Sequence, residues 1–343
     1  VALPDAGELG AELRAGGVEV VERPLSVLRR QQMNPAGLVE VAVAAARDGA
    51  GLASLIRRRR VALVHSNTSV VLSGAVAAAI ARVPHVWHVR EIYARFGRAW
   101  PAYRRLLRTA RALPCVSRAT AGQFTAGDPR VRVVYDGLAV DPVRAPRATA
   151  RAALGLPPDV PAIAVLGRLS DWKGQDLLVR ALAERELVEA GAVGVLAGEA
   201  WPGAEHRREA VVELAARLGV IDRVRLVGFR DDVDNVYGAA DVIAVPSTEP
   251  DPLPGAAIEA AAAGCAVVAS AHGGLPEIIR DGETGRLVPP RDAAALARTI
   301  RELLDHPHER ERLGAAAAAE TRGRFAPGRL LEEIQALYGV LLV

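Results

Sequence analysis

Residues 161–187 read PAIAVLGRLSDWKGQDLLVRALAEREL. The opening run PAIAVLG (161–167) is apolar throughout, as a strand buried on both faces must be, and LLVRALAEREL (177–187) carries apolar residues at helical spacing. Between them lies GRLSDWKGQ (167–175), which places two cations, Arg168 and Lys173, after the strand. Lys173 is the only lysine among the 43 basic residues of the chain. The Arg and Ala excess looks like genomic base bias, and in such a background a merely solvating cation would have become Arg. Strand, cationic turn and helix in that order predict a βα unit with an anion site. The helix start offers free N–H groups and a positive dipole end. Arg offers a planar fork, and Lys a compact charge on a thin stem. Taken alone, an R-x4-K turn is more often a solvated charged turn; the surviving lysine is what favours function.

The same pattern recurs. VGVLAG (193–198), VRLVGF (224–229), VIAVPS (242–247) and AVVAS (266–270) are further apolar runs, each followed by a segment of helix length. The first half repeats it with VEVVE (18–22), VALVHS (61–66), HVWHV (85–89), ALPCVS (112–117) and VRVVY (131–135). Apolar strands alternating with helices predict parallel sheets covered on both faces. A chain of 343 residues fits two such domains. The aperiodic stretch DGLAVDPVRAPRATA (136–150) reads as the linker between them. The expected domains are 1–140, 141–325 and a C-terminal helix, 326–343, packing back toward the first domain. Ligands of such sheets bind beyond the carboxyl ends of the strands.

After VIAVPS comes a loop containing Asp251, then the helix AAIEAAAAG (256–264). Pro254 fits the first helical turn, where its missing N–H costs nothing. That would leave the N–H groups of Gly255 and Ala256 facing a ligand. Glu259 is the only charged residue between Asp251 and Glu277 with His272 neutral, in a helix too apolar to be exposed. A carboxylate so placed can accept from both hydroxyls of a ribose. By spacing alone, an ordinary turn acid and an ordinary helix acid fit equally well. HGGLPE (272–277) puts Gly273 and Gly274 before another helix start, which by itself signals only a tight turn.

These pieces together resemble the family 4 glycosyltransferases. The matching elements are R-x4-K-G after a strand, D-P-x5-I-E-A-x3-G-x-x-V-V-A-S and G-G-x-P-E-I-I-x-D-G-x-T-G, and they are most specific across 163–290. The resemblance implies a GT-B fold: α/β, two doubly wound parallel-sheet (Rossmann-like) domains facing across a cleft. It also implies a retaining, metal-independent transfer of a sugar from a UDP- or GDP-linked donor to an acceptor hydroxyl. By that resemblance Arg168 and Lys173 grip the donor diphosphate and Glu259 holds the ribose. Asp251 faces the transferred sugar, Phe229, Arg230 and Asp231 border the nucleobase, and Gly255 and Ala256 complete the donor site. The acceptor side falls to His88 with Arg90 and Glu91, and to His65, Asn67 and Thr68 on the preceding strand. His88 fits a core histidine as well as a catalytic one. Asp251 stands where the family has Glu, and Pro-Leu-Pro-Gly replaces Pro-Phe-Gly. The family's N-terminal strand and glycine-rich loop have no counterpart before Val1, so the first domain reads as N-terminally incomplete. A nucleotide-sugar-binding fragment without turnover is the alternative to the enzyme.

Charge is unevenly spread. Residues 1–140 carry 20 Arg against 10 acidic residues, the remainder 23 basic against 30 acidic, and between Gly49 and Gly127 the only acid is Glu91. The first half is therefore suited to an anionic partner: a phosphate-bearing glycan or lipid-linked acceptor, or an anionic membrane surface. Nucleic acid is not expected. In RFGRAWPAYRRLLR (95–108), Arg104, Arg108 and Arg111 share a helix face, with Phe96, Trp100 and Tyr103 clustered at its start. That suits an interfacial helix, or equally a helix packing its leucines on its own sheet. No run of 18 apolar residues occurs, so a cytoplasmic protein is expected, with a peripheral seat on the inner membrane face as one option. Cys115 and Cys265 read as buried free thiols. No His, Cys or acidic cluster has metal-ligand spacing, and no cofactor is expected.

Overall fold

The computed structural model describes residues 1–5 and 7–342, without the side chains of Arg30, Ala94 and Arg95. Two compact units emerge: Val1–Val134 together with the stretch from Leu331, and Tyr135–Leu330.

In the first unit the chain runs through β1 (Ala2–Leu3), α1 (Gly7–Ala15), β2 (Val21–Glu22) and α2 (Pro35–Arg59). It continues with β3 (Val64–Ser66), α3 (Ser73–Ala81), β4 (His85–Trp87), α4 (Trp100–Leu107), β5 (Leu113–Cys115), α5 (Arg118–Ala121) and β6 (Val131–Val133). Every strand pair here is parallel: β1 with β2, β3 with β4, β5 with β6. Parallel bridges Val86–Ala112 and Val89–Cys115 join β4 to β5. The observed strands are shorter than the apolar runs that announced them. VEVVE contributes only Val21 and Glu22, because its partner is the two-residue β1.

The second unit contains α6 (Arg147–Ala153), β7 (Ala162–Leu166), α7 (Gln175–Ala183), α8 (Arg185–Glu189), β8 (Val193–Ala197) and α9 (His206–Arg217). Then follow β9 (Val224–Gly228), α10 (Val233–Ala239), β10 (Val242–Val245), α11 (Gly255–Ala262), β11 (Val267–Ser270), α12 (Leu275–Ile278), β12 (Arg286–Val288), α13 (Ala293–Asp305) and α14 (Pro307–Arg324). The described strands form one parallel sheet in the order β12-β11-β10-β7-β8-β9. Numbered from β7, that is the doubly wound 6-5-4-1-2-3, whose strand order reverses between β7 and β10. Leu177, Leu178, Ala181 and Leu182 turn one stripe of α7 onto the sheet, as the helical spacing of 177–187 required. Strand β12 went unnoticed in the sequence because RLV is too short and too polar to stand out. Helix α15 (Pro327–Leu341) begins in the second unit and ends in the first. There Leu337 is buried with Val86 and Ala112.

The units divide at 134/135 and 330/331, whereas the sequence reading divided the chain at 140/141 and 325/326. Residues 135–138 are held in the second unit, where the Tyr135 hydroxyl donates to Glu277 (2.9 Å) and the Leu138 N–H to the Phe325 carbonyl (2.8 Å). Nor is 136–150 linker throughout. Helix α6 starts at Arg147, and Arg151 reaches Asp241, just ahead of β10, at 2.9 Å. Arg147 (2.9 Å) also pairs with that carboxylate, which in turn accepts from the Ala162 N–H at the start of β7 (2.8 Å).

Asp241 thus fastens α6 to the amino ends of the two central strands. Removing a carboxylate that neutralises a buried guanidinium costs about 3–5 kcal/mol. Asp241→Ala should lower the unfolding free energy of this unit by roughly that amount in urea titration, and a loss below about 1 kcal/mol would reduce the cluster to a surface-type ion pair.

Candidate functional site

Strands β7 and β10 lie side by side, so the loops leaving their carboxyl ends are neighbours. Lys173 on the first loop donates from Nζ to Asp251 Oδ2 on the second at 2.7 Å. The ammonium also lies 4.4 Å from the centre of the Trp172 ring. Arg168 stacks its guanidinium over Trp201, from the loop after β8, at 4.5 Å. The loop between the cations is tied down at several points. Asp171 pairs with Arg207 of α9, and the Thr248 N–H donates to the Trp172 carbonyl at 2.8 Å. Buried Gln175 donates to the carbonyls of Gly167 and Arg168, both at 3.1 Å. Gly174, at φ +80°, explains the glycine after the lysine: a Cβ there would sit 1.9 Å from the Pro246 carbonyl oxygen. The close approach of the two loops depends on it.

Asp251 is buried, 4% exposed, and its backbone is clasped from behind. The Gly274 N–H donates to the Asp251 carbonyl at 2.8 Å, and a Cβ on Gly273 (φ +61°) would stand 2.4 Å from that same oxygen. His272 Nε2 lies 2.8 Å from the Ser247 carbonyl. The Gly-Gly pair that signalled only a turn therefore seats the carboxylate. Gln175, His272 and Trp201 had no signal in the sequence, since each acts through a partner on a different loop.

Helix α11 starts at Gly255 with Pro254 as its cap, so the proline stands one place earlier than expected while Gly255 and Ala256 remain the first two helical residues. Half-buried Glu259 accepts from the hydroxyl of buried Tyr237 at 3.0 Å. Burial first, and the Glu259 charge next, push the Tyr237 phenol up, keeping it a neutral donor. Phe229 is 77% exposed at the end of β9, beside an Arg230 whose guanidinium is bound to Asp232 (2.5 and 2.6 Å) rather than open to a ligand, and next to Asp231, which is exposed.

In the first unit the carboxyl ends of β3 and β4 bring His65 and His88 together, ring centres 5.4 Å apart. His88 is 2% exposed, and its Nε2 is a buried nitrogen without a hydrogen-bond partner, as is His65 Nε2. Tyr338 of α15 holds His65 Nδ1 at 2.5 Å. Burial, then the Arg90 charge, hold His65 down at about 4 and His88 at about 3; burial holds His85 at about 4. Glu91 is committed to the fold. Its carboxylate accepts from the hydroxyls of Thr68, Ser69 (2.5 Å) and Tyr93 (3.3 Å) and from the Arg90 N–H (3.1 Å). Thr68 is spent on that contact, whereas Asn67 is exposed. The aromatics of 95–108 also turn inward. Tyr93 stacks on Trp100 at 4.8 Å, and Tyr103 and Leu107 are buried. Arg108 pairs with Asp128 at 3.2 Å. The segment thus packs Tyr103 and Leu107 on its own unit, while Leu106 stays exposed. The thiols of Cys115 and Cys265 are buried and free, each pushed up to about 12 by burial.

Residues 146–320 match the model of the family described as glycosyl transferases group 1, and residues 5–141 that of glycosyltransferase family 4. The D-inositol 3-phosphate glycosyltransferase of Streptomyces scabiei (strain 87.22) is 41% identical over 206 residues, 57% of this chain and 46% of that protein. The match thus spans less than half of that relative's length. Among solved structures, Anabaena HepE in complex with UDP is similar at a TM-score of 0.80 with 25% identity, covering 99% of this chain and 92% of that one. Sucrose-phosphate synthase from Thermosynechococcus elongatus gives 0.77 and 25%, covering 97% and 92%.

The three depressed histidines of the first unit have a consequence for stability. Below 6.5 the unfolded chain takes up protons at these imidazoles while the folded chain does not until about 4 or lower. The unfolded state then binds more protons, so stability falls as pH drops through that window. The thermal midpoint should decline between pH 6.5 and about 5, above the range of ordinary carboxylates. A flat profile there would show that these histidines protonate in the folded state.

Proposed function

This chain belongs to the glycosyl transferases group 1 family and has the GT-B fold, and on that premise we propose that it transfers a sugar from a nucleotide-sugar to an acceptor hydroxyl. The observation that carries the proposal is the meeting of Lys173 and Asp251 where the strand order reverses, which is where open α/β sheets bind nucleotides, with Arg168 on the loop of Lys173 and Glu259 in the helix that follows Asp251. Arg168 and Lys173 supply the charge for a departing diphosphate, so stabilisation of the leaving group comes from fixed cations and needs no metal ion. Glu259 receives the ribose hydroxyls, and Phe229 offers its exposed ring at the nucleobase. UDP is the favoured nucleotide, since HepE, of the same fold, was solved with it.

The transfer proceeds with retention. The bond from the anomeric carbon to the diphosphate oxygen breaks, and the acceptor oxygen bonds to that carbon from the same face. The departing diphosphate takes the acceptor's proton. His88, kept neutral by burial, serves on the acceptor side as a hydrogen-bonding imidazole. The arginine surplus of residues 1–140 suits an anionic acceptor, such as a sugar phosphate or a lipid-linked glycan at an anionic membrane surface, in the synthesis of a cell-surface polysaccharide or glycolipid. The named acceptor of the Streptomyces relative is itself a phosphate ester. No described helix is long and apolar enough to cross a membrane; the peripheral, cytoplasmic seat is proposed from the arginine surplus alone.

Charged hydrogen bonds contribute about 1.5–3 kcal/mol each. Lys173→Ala and Arg168→Ala should each weaken UDP by about tenfold or more in calorimetry and leave uridine unchanged; equal UDP affinity would remove the diphosphate from this loop. Glu259→Gln should bind UDP and its 2′-deoxyribose counterpart alike, where the parent prefers the ribose. A preference that survives the substitution would return Glu259 to bonding Tyr237 alone.

A further inference from the structure

The cation assigned to the donor's phosphates already has a partner. Lys173 Nζ and Asp251 Oδ2 are 2.7 Å apart, with side-chain exposures of only 20% and 6%. The ammonium has two further protons, but a phosphate oxygen that draws the charge toward itself weakens its hold on the carboxylate. The backbone that carries Asp251 is held in place. Its loop is flanked by Pro250, Pro252 and Pro254, and its backbone is pinned by the Gly274 N–H and by Gly273 at van der Waals limit. A carboxylate has acceptors only, and a buried one stripped of its cation is strongly destabilised.

We infer that Asp251 is an internal competitor for the donor's diphosphate, which makes the site favour whole nucleotide-sugars over the bare diphosphate. The inference rests on Lys173 binding that diphosphate, as proposed above. Binding is then an exchange. Lys173 leaves Asp251 for the phosphate, and the exposed carboxylate is satisfied only by a ligand that brings hydroxyl donors next to the phosphates. A nucleotide-sugar brings them; a nucleoside diphosphate or inorganic pyrophosphate does not. After transfer, the sugar-free diphosphate is left facing an unsatisfied carboxylate, and Lys173 is drawn back to Asp251, which speeds release of the product. Aspartate in place of glutamate fits this role, because the shorter side chain keeps the carboxylate on the lysine.

Calorimetry with inorganic pyrophosphate and with UDP tests the exchange. Asp251→Asn removes the competing charge and should bind both about tenfold more tightly than the parent, whereas Lys173→Ala should bind both more weakly. Asp251→Ser, with its thermal midpoint checked, repeats the measurement in case the amide disturbs the loop. In Lys173→Ala/Asp251→Asn the tightening should vanish, since no lysine remains to be released. Tightening that persists in the double variant would mean simple repulsion between carboxylate and phosphate, and would overturn the exchange. Unchanged or weaker binding in both Asp251 variants, with Lys173→Ala still impaired, would overturn it while leaving the nucleotide site intact. Pyrophosphate and UDP affinities insensitive to Lys173→Ala would end both assignments.

Discussion

Strands β7 and β10 are hydrogen-bonded neighbours although the chain visits β8 and β9 between them. Winding outward from β7 in one direction and from β10 in the other leaves the connecting helices α7 and α9 on one face of the sheet and α11 and α12 on the other. The loops at the carboxyl ends of the central pair therefore have no helix lying over the gap between them. Arg168 and Lys173 enter that gap from one side and Asp251 from the other. At the opposite end of the same pair, Asp241 ties the start of β7 to α6. One strand pairing thus organises both a buried ion cluster that holds the unit together and the charged site that gives it chemistry.

The two charged clusters are built for different ends. Around Asp241 the guanidinium of Arg151 also donates from Nη1 to three carbonyls, those of Pro157, Pro158 and Val160, so both of its terminal nitrogens are engaged within the fold, while its Nε is buried without a partner. Around Lys173 the donors outnumber the partners. An ammonium has three protons, and the ion pair with Asp251 uses one of them. The ring of Trp172 accommodates positive charge without fixing its direction. A charge held by one directional contact and one diffuse one can be transferred to a ligand at lower cost than one held in a full cage.

In the first unit two acidic residues, Glu91 and Asp128, have structural work. Glu91 gathers Thr68, Ser69 and Tyr93 around its carboxylate, and Asp128 takes both Arg108 and Arg130. With those acids committed, many of the unit's arginines face outward. The histidines at the strand ends are the reverse case. Buried away from water, they remain neutral, and the imidazoles of His65 and His88 keep a nitrogen uncommitted.

Some of this was legible along the chain. Apolar runs of strand length alternating with helical stripes are local consequences of burial on two faces, so the α/β class and the parallel sheets followed directly from 161–270. Lys173 and Glu259 stood out for the same local reason, as charges that their surroundings did not otherwise explain. Strand lengths, the boundary at 134/135, the start of α6 and the inward turn of Trp100 and Tyr103 were decided by partners distant in sequence, and periodicity carries no information about partners. The pairing of Lys173 with Asp251, separated by 78 positions, is of that kind. So is the clasp of Gly273 and Gly274 behind it. Sequence determined which residues carry charge at the ends of strands; tertiary structure alone decided which of those charges meet, because only the order of strands in the sheet brings the two loops to 2.7 Å.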